Sequence, residues 1–142
     1  MNKKLKGYTQ GSLRARVAGA DPYQLVQMLM GGAIENISYA KGAIQRDDLE
    51  NKSVYISKAL AIIESLRASL EMDVGGSVAE NLNDLYLYMT ERLADASISK
   101  DVYVLDEVSG LLKEIKSAWD AIPMSDRTVA VSQLEQAQAS GL

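Results

Sequence analysis

Four stretches in which apolar residues recur at alternating steps of three and four constrain this chain more than any other feature. That spacing keeps one face of an α-helix apolar and the rest wet, and the strict alternation of a half-buried strand occurs nowhere. The first seam is Val26, Met30, Ala33, Ile37, Ala40 and Ile44. Before it, Asp21 reads as an N-cap, Pro22 suits the first helical position and Gln24 completes a capping box, with the helix expected to end near Arg46-Asp47. The second seam, Ile56, Ala59, Ile63, Leu66 and Leu70, runs toward Asp73-Val74-Gly75-Gly76, where a left-handed glycine is expected to stop the helix. Ser77 and Glu80 suggest a second capping box ahead of Leu82, Tyr86, Met89, Leu93 and Ala96. A polar link, Ser97-Ile98-Ser99-Lys100, leads to a helix starting near Asp101, whose seam is Leu105, Val108, Leu112, Ile115, Trp119 and Ile122 and whose stop is Pro123.

Helices that each carry one apolar seam must bury it against one another. With short links between them, residues 21–123 are expected to form an all-α, antiparallel up-down four-helix bundle. Residues 1–20 then make a basic N-terminal arm or short cap helix, and residues 124–142 a flexible tail. Val131 and Leu134, three apart, allow a short helix over residues 128–138 of that tail. No internal repeat or low-complexity run is visible.

The chain contains no His, which closes imidazole acid–base chemistry, phosphotransfer and most metal sites known in bundles. It contains no Cys, which removes disulfide and thiolate chemistry and fits a reducing compartment, so a cytoplasmic location is expected. The first residues, Met1-Asn2-Lys3-Lys4-Leu5-Lys6, start like a charged leader but continue into Gly7-Tyr8-Thr9-Gln10 without the apolar stretch of a signal peptide. Nor does any run approach the ~18 apolar residues of a bilayer-spanning helix, so membrane insertion is not expected. Lys3, Lys4, Lys6, Arg14 and Arg16 are the only charges in the first sixteen residues, leaving −9 on the remainder of a chain whose total is −4. An acidic body repels phosphates and no second basic stripe extends the arm, so nucleic acid is not an expected partner. Acid pairs such as Asp47-Asp48 and Asp106-Glu107 are adjacent in sequence and cannot converge across a helix face, which makes them solvated charges. With no nucleophile–base pair, phosphate loop or dinucleotide fingerprint, the residues point away from an enzyme, a cofactor or a bound metal.

What remains is surplus grease. Leu85-Tyr86-Leu87-Tyr88-Met89 must project all round a helical turn, and Leu25 and Leu29 lie beside the first seam. Such residues either widen the bundle's own core, with tyrosine hydroxyls left wet, or line a groove that receives a partner helix. Gly31-Gly32 inside the first helix costs about 1 kcal/mol per glycine relative to Ala, to be offset either by close helix packing or by room for a partner. Leu5 and Tyr8, three apart in the arm, fit a small docking motif or an incidental part of a leader.

In order and spacing, several of these segments resemble the flagellin-specific export chaperone family, FliS. They are Tyr8; Ala20-Asp21-Pro22-Tyr23-Gln24-Leu25-Val26-Gln27-Met28-Leu29 with Gly32-Ala33-Ile34; Ala40 and Ala43-Ile44; Gly75-Gly76; Asn81-Leu82; Leu85-Tyr86, Tyr88-Met89 and Leu93; and Asp101, Glu107-Val108, Leu111-Leu112 and Ala118-Trp119. Met30-Gly31 departs from the family's usual aromatic and acid, and Ser97 from its usual Asn. The resemblance implies a cytoplasmic, non-enzymatic chaperone that binds the disordered C-terminal segment of flagellin, blocks premature polymerisation and delivers the subunit to the flagellar type III export gate. With it, the surplus apolar residues set the expected client-binding groove at Leu25, Leu29, Leu85, Tyr86, Tyr88 and Met89, and the family's N-terminal apolar-x-x-Tyr element maps onto Leu5 and Tyr8, a cap over the groove or a gate-docking element. The competing expectation keeps the bundle and changes the client, to that of another secretion or signalling system. The same surplus leaves self-association open.

Overall fold

The computed structural model describes residues 21–70 and 76–127; the whole basic arm with Leu5 and Tyr8, and residues 128–142 with the suggested short helix, lie outside them. Four helices fill the described residues: α1 (Pro22–Gln45), α2 (Leu49–Ala68), α3 (Gly76–Ser99) and α4 (Val102–Asp120). No strand occurs among these residues.

The capping box at the start of α1 forms as its residues predict. The Gln24 amide donates to Asp21 Oδ1 at 2.7 Å, and Gln24 Oε1 accepts from the Asp21 amide at 3.4 Å. Asp48 and Asp101 cap α2 and α4, accepting from the amides of Asn51 at 3.3 Å and Tyr103 at 3.0 Å. Two local expectations fail. α2 ends at Ala68, before the glycines, because Ser69 already satisfies its last carbonyls through its amide and through its hydroxyl, which donates to the Leu66 carbonyl at 2.7 Å. The Ser77–Glu80 capping box is not present among the described residues, since α3 begins one residue earlier, at Gly76 with φ 56°, and places Ser77 inside its first turn. At the far end of α3, Lys100 with φ 60° reverses the chain into α4.

Pairing between helices runs in opposite order along each neighbouring pair. Gly32 lies beside Ile62 and Tyr39 beside Tyr55 (α1 and α2); Lys52 reaches Ser97 and Arg67 reaches Asn83 (α2 and α3). Tyr88 meets Glu107 (α3 and α4), Tyr23 meets Trp119 and Lys41 meets Asp106 (α4 and α1). The four helices therefore close a ring in the order α1, α2, α3, α4, each antiparallel to its two neighbours, as in an up-down bundle. The core is the set of seams read from the sequence, sealed by Ile37, Ile56, Ile63, Met89, Leu93, Leu105, Val108 and Leu112. Tyr23, Ala43 and Val104 join it, whereas Ile44, Leu70, Leu82, Ile115 and Trp119 pack at its rim.

One charged residue is buried with them. Lys52 occupies the seam position one turn before Ile56, and its ammonium donates to the Ser97 carbonyl of α3 at 2.6 Å, near the negative end of that helix. The opposite end of the bundle is tied by aromatic contacts. The Tyr23 and Trp119 rings stack with centroids 5.3 Å apart, and the Arg127 guanidinium sits 4.3 Å from the Tyr23 centroid. Met124 to Arg127 thus begin the expected tail as a helical turn, with Asp126 and Arg127 amides donating to the Pro123 carbonyl at 2.8 and 3.2 Å.

Candidate functional site

The six residues singled out for the groove fall into three structural groups. Tyr86 and Met89 belong to the core, with Tyr86 only 2% exposed. Burial pushes the Tyr86 phenol up to about 12, because the ionised form would lose its water. Their positions follow from spacing: 82, 86, 89, 93 and 96 alternate steps of four and three and share one face, and that face is the seam. They contribute to a client surface only by shaping the floor beneath it.

Leu85 and Tyr88 form the second group, on the flank of α3 that faces α4. Leu85 is half-buried against the core, and Tyr88 is 40% exposed. The Tyr88 hydroxyl donates to both carboxylate oxygens of Glu107, at 3.1 and 3.0 Å, while Arg92 Nε donates to Glu107 Oε1 at 2.9 Å. Arg92 also faces Asp95 at 3.9 Å. The Arg92 hydrogen bond, with that of Tyr88, holds the Glu107 carboxyl below its ordinary range. The hydrogen bond to that carboxylate raises the Tyr88 phenol, because it would be lost on ionisation, and the adjacent negative charge adds to the effect. With half-buried Leu111 of α4 beside it, this seam has an apolar floor and a polar, hydrogen-bonding edge.

Leu25 and Leu29 form the third group, on the flank of α1 that faces α2. Spacing of three and four puts them in line with Gly32, where an added Cβ would stand 3.4 Å from Ile62 Cδ1 of α2. Farther along the same seam, Tyr39 and Tyr55 meet edge-tilted at 5.2 Å, and the Tyr39 hydroxyl donates to Glu35 Oε1 at 2.5 Å. In the ring of helices the α1–α2 and α3–α4 seams lie on opposite sides of the bundle. The structure therefore brings Leu85 and Tyr88 together, and Leu25 and Leu29 together, but not the two pairs into one pocket. An extended segment that wraps the rod can touch both; a single docked helix cannot. The second line of surplus apolar residues expected on α1 is thus a strip separate from that on α3.

Glycine at 31 and 32 is not demanded by crowding. A Cβ on Gly31 would meet Lys116 Cε at 3.9 Å, and the 3.4 Å contact at Gly32 is ordinary van der Waals packing. Sequence reasoning missed the Glu107–Arg92–Tyr88 cluster. Tyr88 and Arg92 share a face by their spacing of four, but the partner carboxylate comes from another helix. A shallow, open depression on the outside of α4, lined by Lys113, Lys116, Ser117, Asp120 and Ala121, shares no residue with either strip. Among the described residues no cluster of three or more acidic side chains could hold a metal ion, and no helix is long and apolar enough to cross a membrane.

Comparison with known proteins identifies the family. The family model described as flagellar protein FliS matches residues 4–126. A flagellar secretion chaperone of Pseudomonas aeruginosa, FliSB, is 46% identical over 120 residues, covering 84% of this chain and 95% of the relative. The flagellar secretion chaperone FliS of Vibrio cholerae is 42% identical over 123 residues, covering 87% and 90%. That of Salmonella typhimurium is 39% identical over 119 residues, covering 83% and 88%. A helical bundle with apolar strips outside a finished core, matched along most of its length by such relatives, belongs to the FliS family of flagellar secretion chaperones.

Proposed function

We propose that this chain is a cytoplasmic, non-enzymatic chaperone that binds the disordered C-terminal segment of flagellin, prevents its premature polymerisation and hands it to the flagellar type III export apparatus. The observation that carries this reading is that Leu85 and Tyr88, and Leu25 and Leu29, leave apolar surface outside a core already sealed without them. Covering such surface yields roughly 25 cal/mol per Å². Two strips on opposite sides suit a disordered client, which can wrap a rod and fold on it, offsetting part of the contact energy by its ordering cost and so remaining releasable. Leu5 and Tyr8, ahead of the bundle, serve as the cap or as the docking element for the export gate.

The test is calorimetric titration of the full chain with a peptide of the host flagellin's C-terminal segment. Saturable binding with a negative heat-capacity change, weakened when either strip is altered, is the expected result. Absence of binding to flagellin, with the bundle intact by circular dichroism, overturns the assignment of client.

A further inference from the structure

The seam between α3 and α4 changes character along its length. Toward the end of the bundle where α3 begins it is apolar: Val78, Leu82 and Leu85 follow one another at steps of four and three on the α3 flank, with Leu111 of α4 facing them. Val78 is 66% exposed and the other three are half-buried. Of the four neighbouring pairs in the ring, α3 and α4 pack least closely, so these side chains line a trough rather than a sealed contact. From Val78 to Tyr88 the trough runs about 15 Å, at the helical rise of about 1.5 Å per residue.

One rung closes it. Because the two helices run antiparallel, Tyr88 and Glu107 stand opposite each other, one turn beyond Leu85 and Leu111. The Tyr88 hydroxyl bridges both oxygens of the Glu107 carboxylate, at 3.1 and 3.0 Å, and Arg92 Nε holds the same carboxylate from the next turn at 2.9 Å. A phenol ring fixed to α3 at its Cα and to α4 at its hydroxyl spans the gap between them. Tyr88 is 40% exposed, so its hydroxyl would be satisfied equally well by water; the carboxylate on the facing helix is what aims it across the seam. The core beneath is complete without this bond, since Tyr86, Met89, Val108 and Leu112 are already buried.

We infer that Tyr88, tethered to Glu107, is a bar across the α3–α4 strip that an incoming client segment must lift, so that the tether restrains client binding. The inference rests on the reading of that strip as client surface. It makes two parts of one residue act in opposite senses: the ring adds apolar contact to a bound client, whereas the hydroxyl holds the ring where the client must go. A segment that lifts the bar exchanges one water-exposed hydrogen bond for apolar contact along the trough. Affinity then stays below the most that the strip allows, by the free energy that the closed arrangement holds over the open one.

Tyr88→Phe keeps the ring and removes the tether, and Glu107→Ala removes its acceptor. Two measurements on the full chain separate the bar from the client. The apolar dye anilinonaphthalene sulfonate should bind the unaltered chain weakly and both variants more strongly, with helical circular dichroism unchanged and the gain abolished when Leu111→Ser is added. Calorimetric titration with the flagellin C-terminal peptide should show both variants binding roughly three- to tenfold more tightly, opposite in sign to the loss expected when the ring itself is removed. No rise in dye binding in either variant overturns the inference, whether or not the peptide binds. A rise in dye binding with peptide affinity unchanged or weakened overturns it as well, and makes the hydroxyl a contact of the client. Dimerisation of the variants in place of tighter peptide binding assigns the strip to a second copy and overturns it equally. A chain that takes up dye as expected but binds no peptide in any form supports the bar and overturns the client.

Discussion

Tyr23 and Trp119 exchange hydrogen bonds across the bundle: the Tyr23 hydroxyl donates to the Trp119 carbonyl at 2.8 Å, and the Trp119 indole N–H donates to the Tyr23 carbonyl at 3.1 Å. Each side chain thus donates to the backbone carbonyl of the other residue while the two rings stack. Both acceptors are backbone carbonyls, so replacing one side chain removes its own donor and alters the stacking while leaving the other bond's acceptor in place. Tyr23→Phe is expected to cost about 1 kcal/mol from the lost hydrogen bond. A double-mutant cycle with Trp119→Phe should show non-additivity of roughly 0.5–1.5 kcal/mol. Urea unfolding followed by circular dichroism measures the cycle. Trp119, the single tryptophan, reports the same end of the bundle by fluorescence in the Tyr23 variant.

The two kinds of candidate groove residue should separate cleanly under substitution. Met89→Asp places a carboxylate in a sealed core and should destabilise the fold by several kcal/mol, visible as loss of helical circular dichroism on mild heating. Tyr88→Ala and Leu25→Ala should keep the fold and weaken flagellin-peptide binding by about 1–2 kcal/mol each, roughly five- to thirtyfold in calorimetry. Tyr88→Ala with undiminished affinity would remove the α3–α4 strip from the client surface.

The distinction between these groups was half legible in the sequence. The steps 82, 86, 89, 93 and 96 already marked Tyr86 and Met89 as seam residues, and the surplus argument drew them into the groove because five consecutive large side chains cannot all be buried. The structure divides that run by angle, so Tyr86 and Met89 go inward, Leu85 and Tyr88 to the α4 flank and Leu87 outward. Seams and most caps are local properties, set by residues within one or two turns, and the chain states them openly. Which flank meets which neighbour depends on the ring order of the helices. Glu107 beside Tyr88, Asp120 beside Gln27 and Arg127 over Tyr23 are therefore products of assembly. The early end of α2 at Ser69 was missed for a related reason: its hydroxyl and amide terminate the helix before the more conspicuous glycines are reached.

Acid should loosen the α3–α4 seam from its edge. The folded pKa of Glu107 lies below its unfolded value, so its hydrogen bonds with Arg92 and Tyr88 contribute fully above the ordinary glutamate pKa of about 4.3 and are lost as pH falls further. A melting-temperature profile should decline through that acidic window, and Glu107→Gln should flatten the decline. An unchanged slope in the variant would show that the cluster does not contribute.

Alkali acts on the interior. The Tyr86 phenol is pushed up to about 12, above its unfolded value near 10, so the stability linked to it is present below pH ~10 and disappears as pH rises toward ~12. Tyrosinate absorbance should show one late-titrating tyrosine whose ionisation coincides with unfolding, and Tyr86→Phe should remove that step.

At Gly31 the helix is open to improvement. Its backbone is helical, a Cβ there meets only Lys116 Cε at 3.9 Å, and Gly31→Ala should raise stability by about 0.5–1 kcal/mol in urea unfolding.

The Lys52 ammonium on the Ser97 carbonyl bears on how α2 and α3 are allowed to mate. Apolar contact between their seams is non-directional, whereas a hydrogen bond to one carbonyl is not. A slip of one turn would take the part-buried ammonium off its carbonyl, at a cost of about 1–3 kcal/mol. That lysine at one end and Arg67 on Asn83 at the other act as detents that hold the two rods at a single setting.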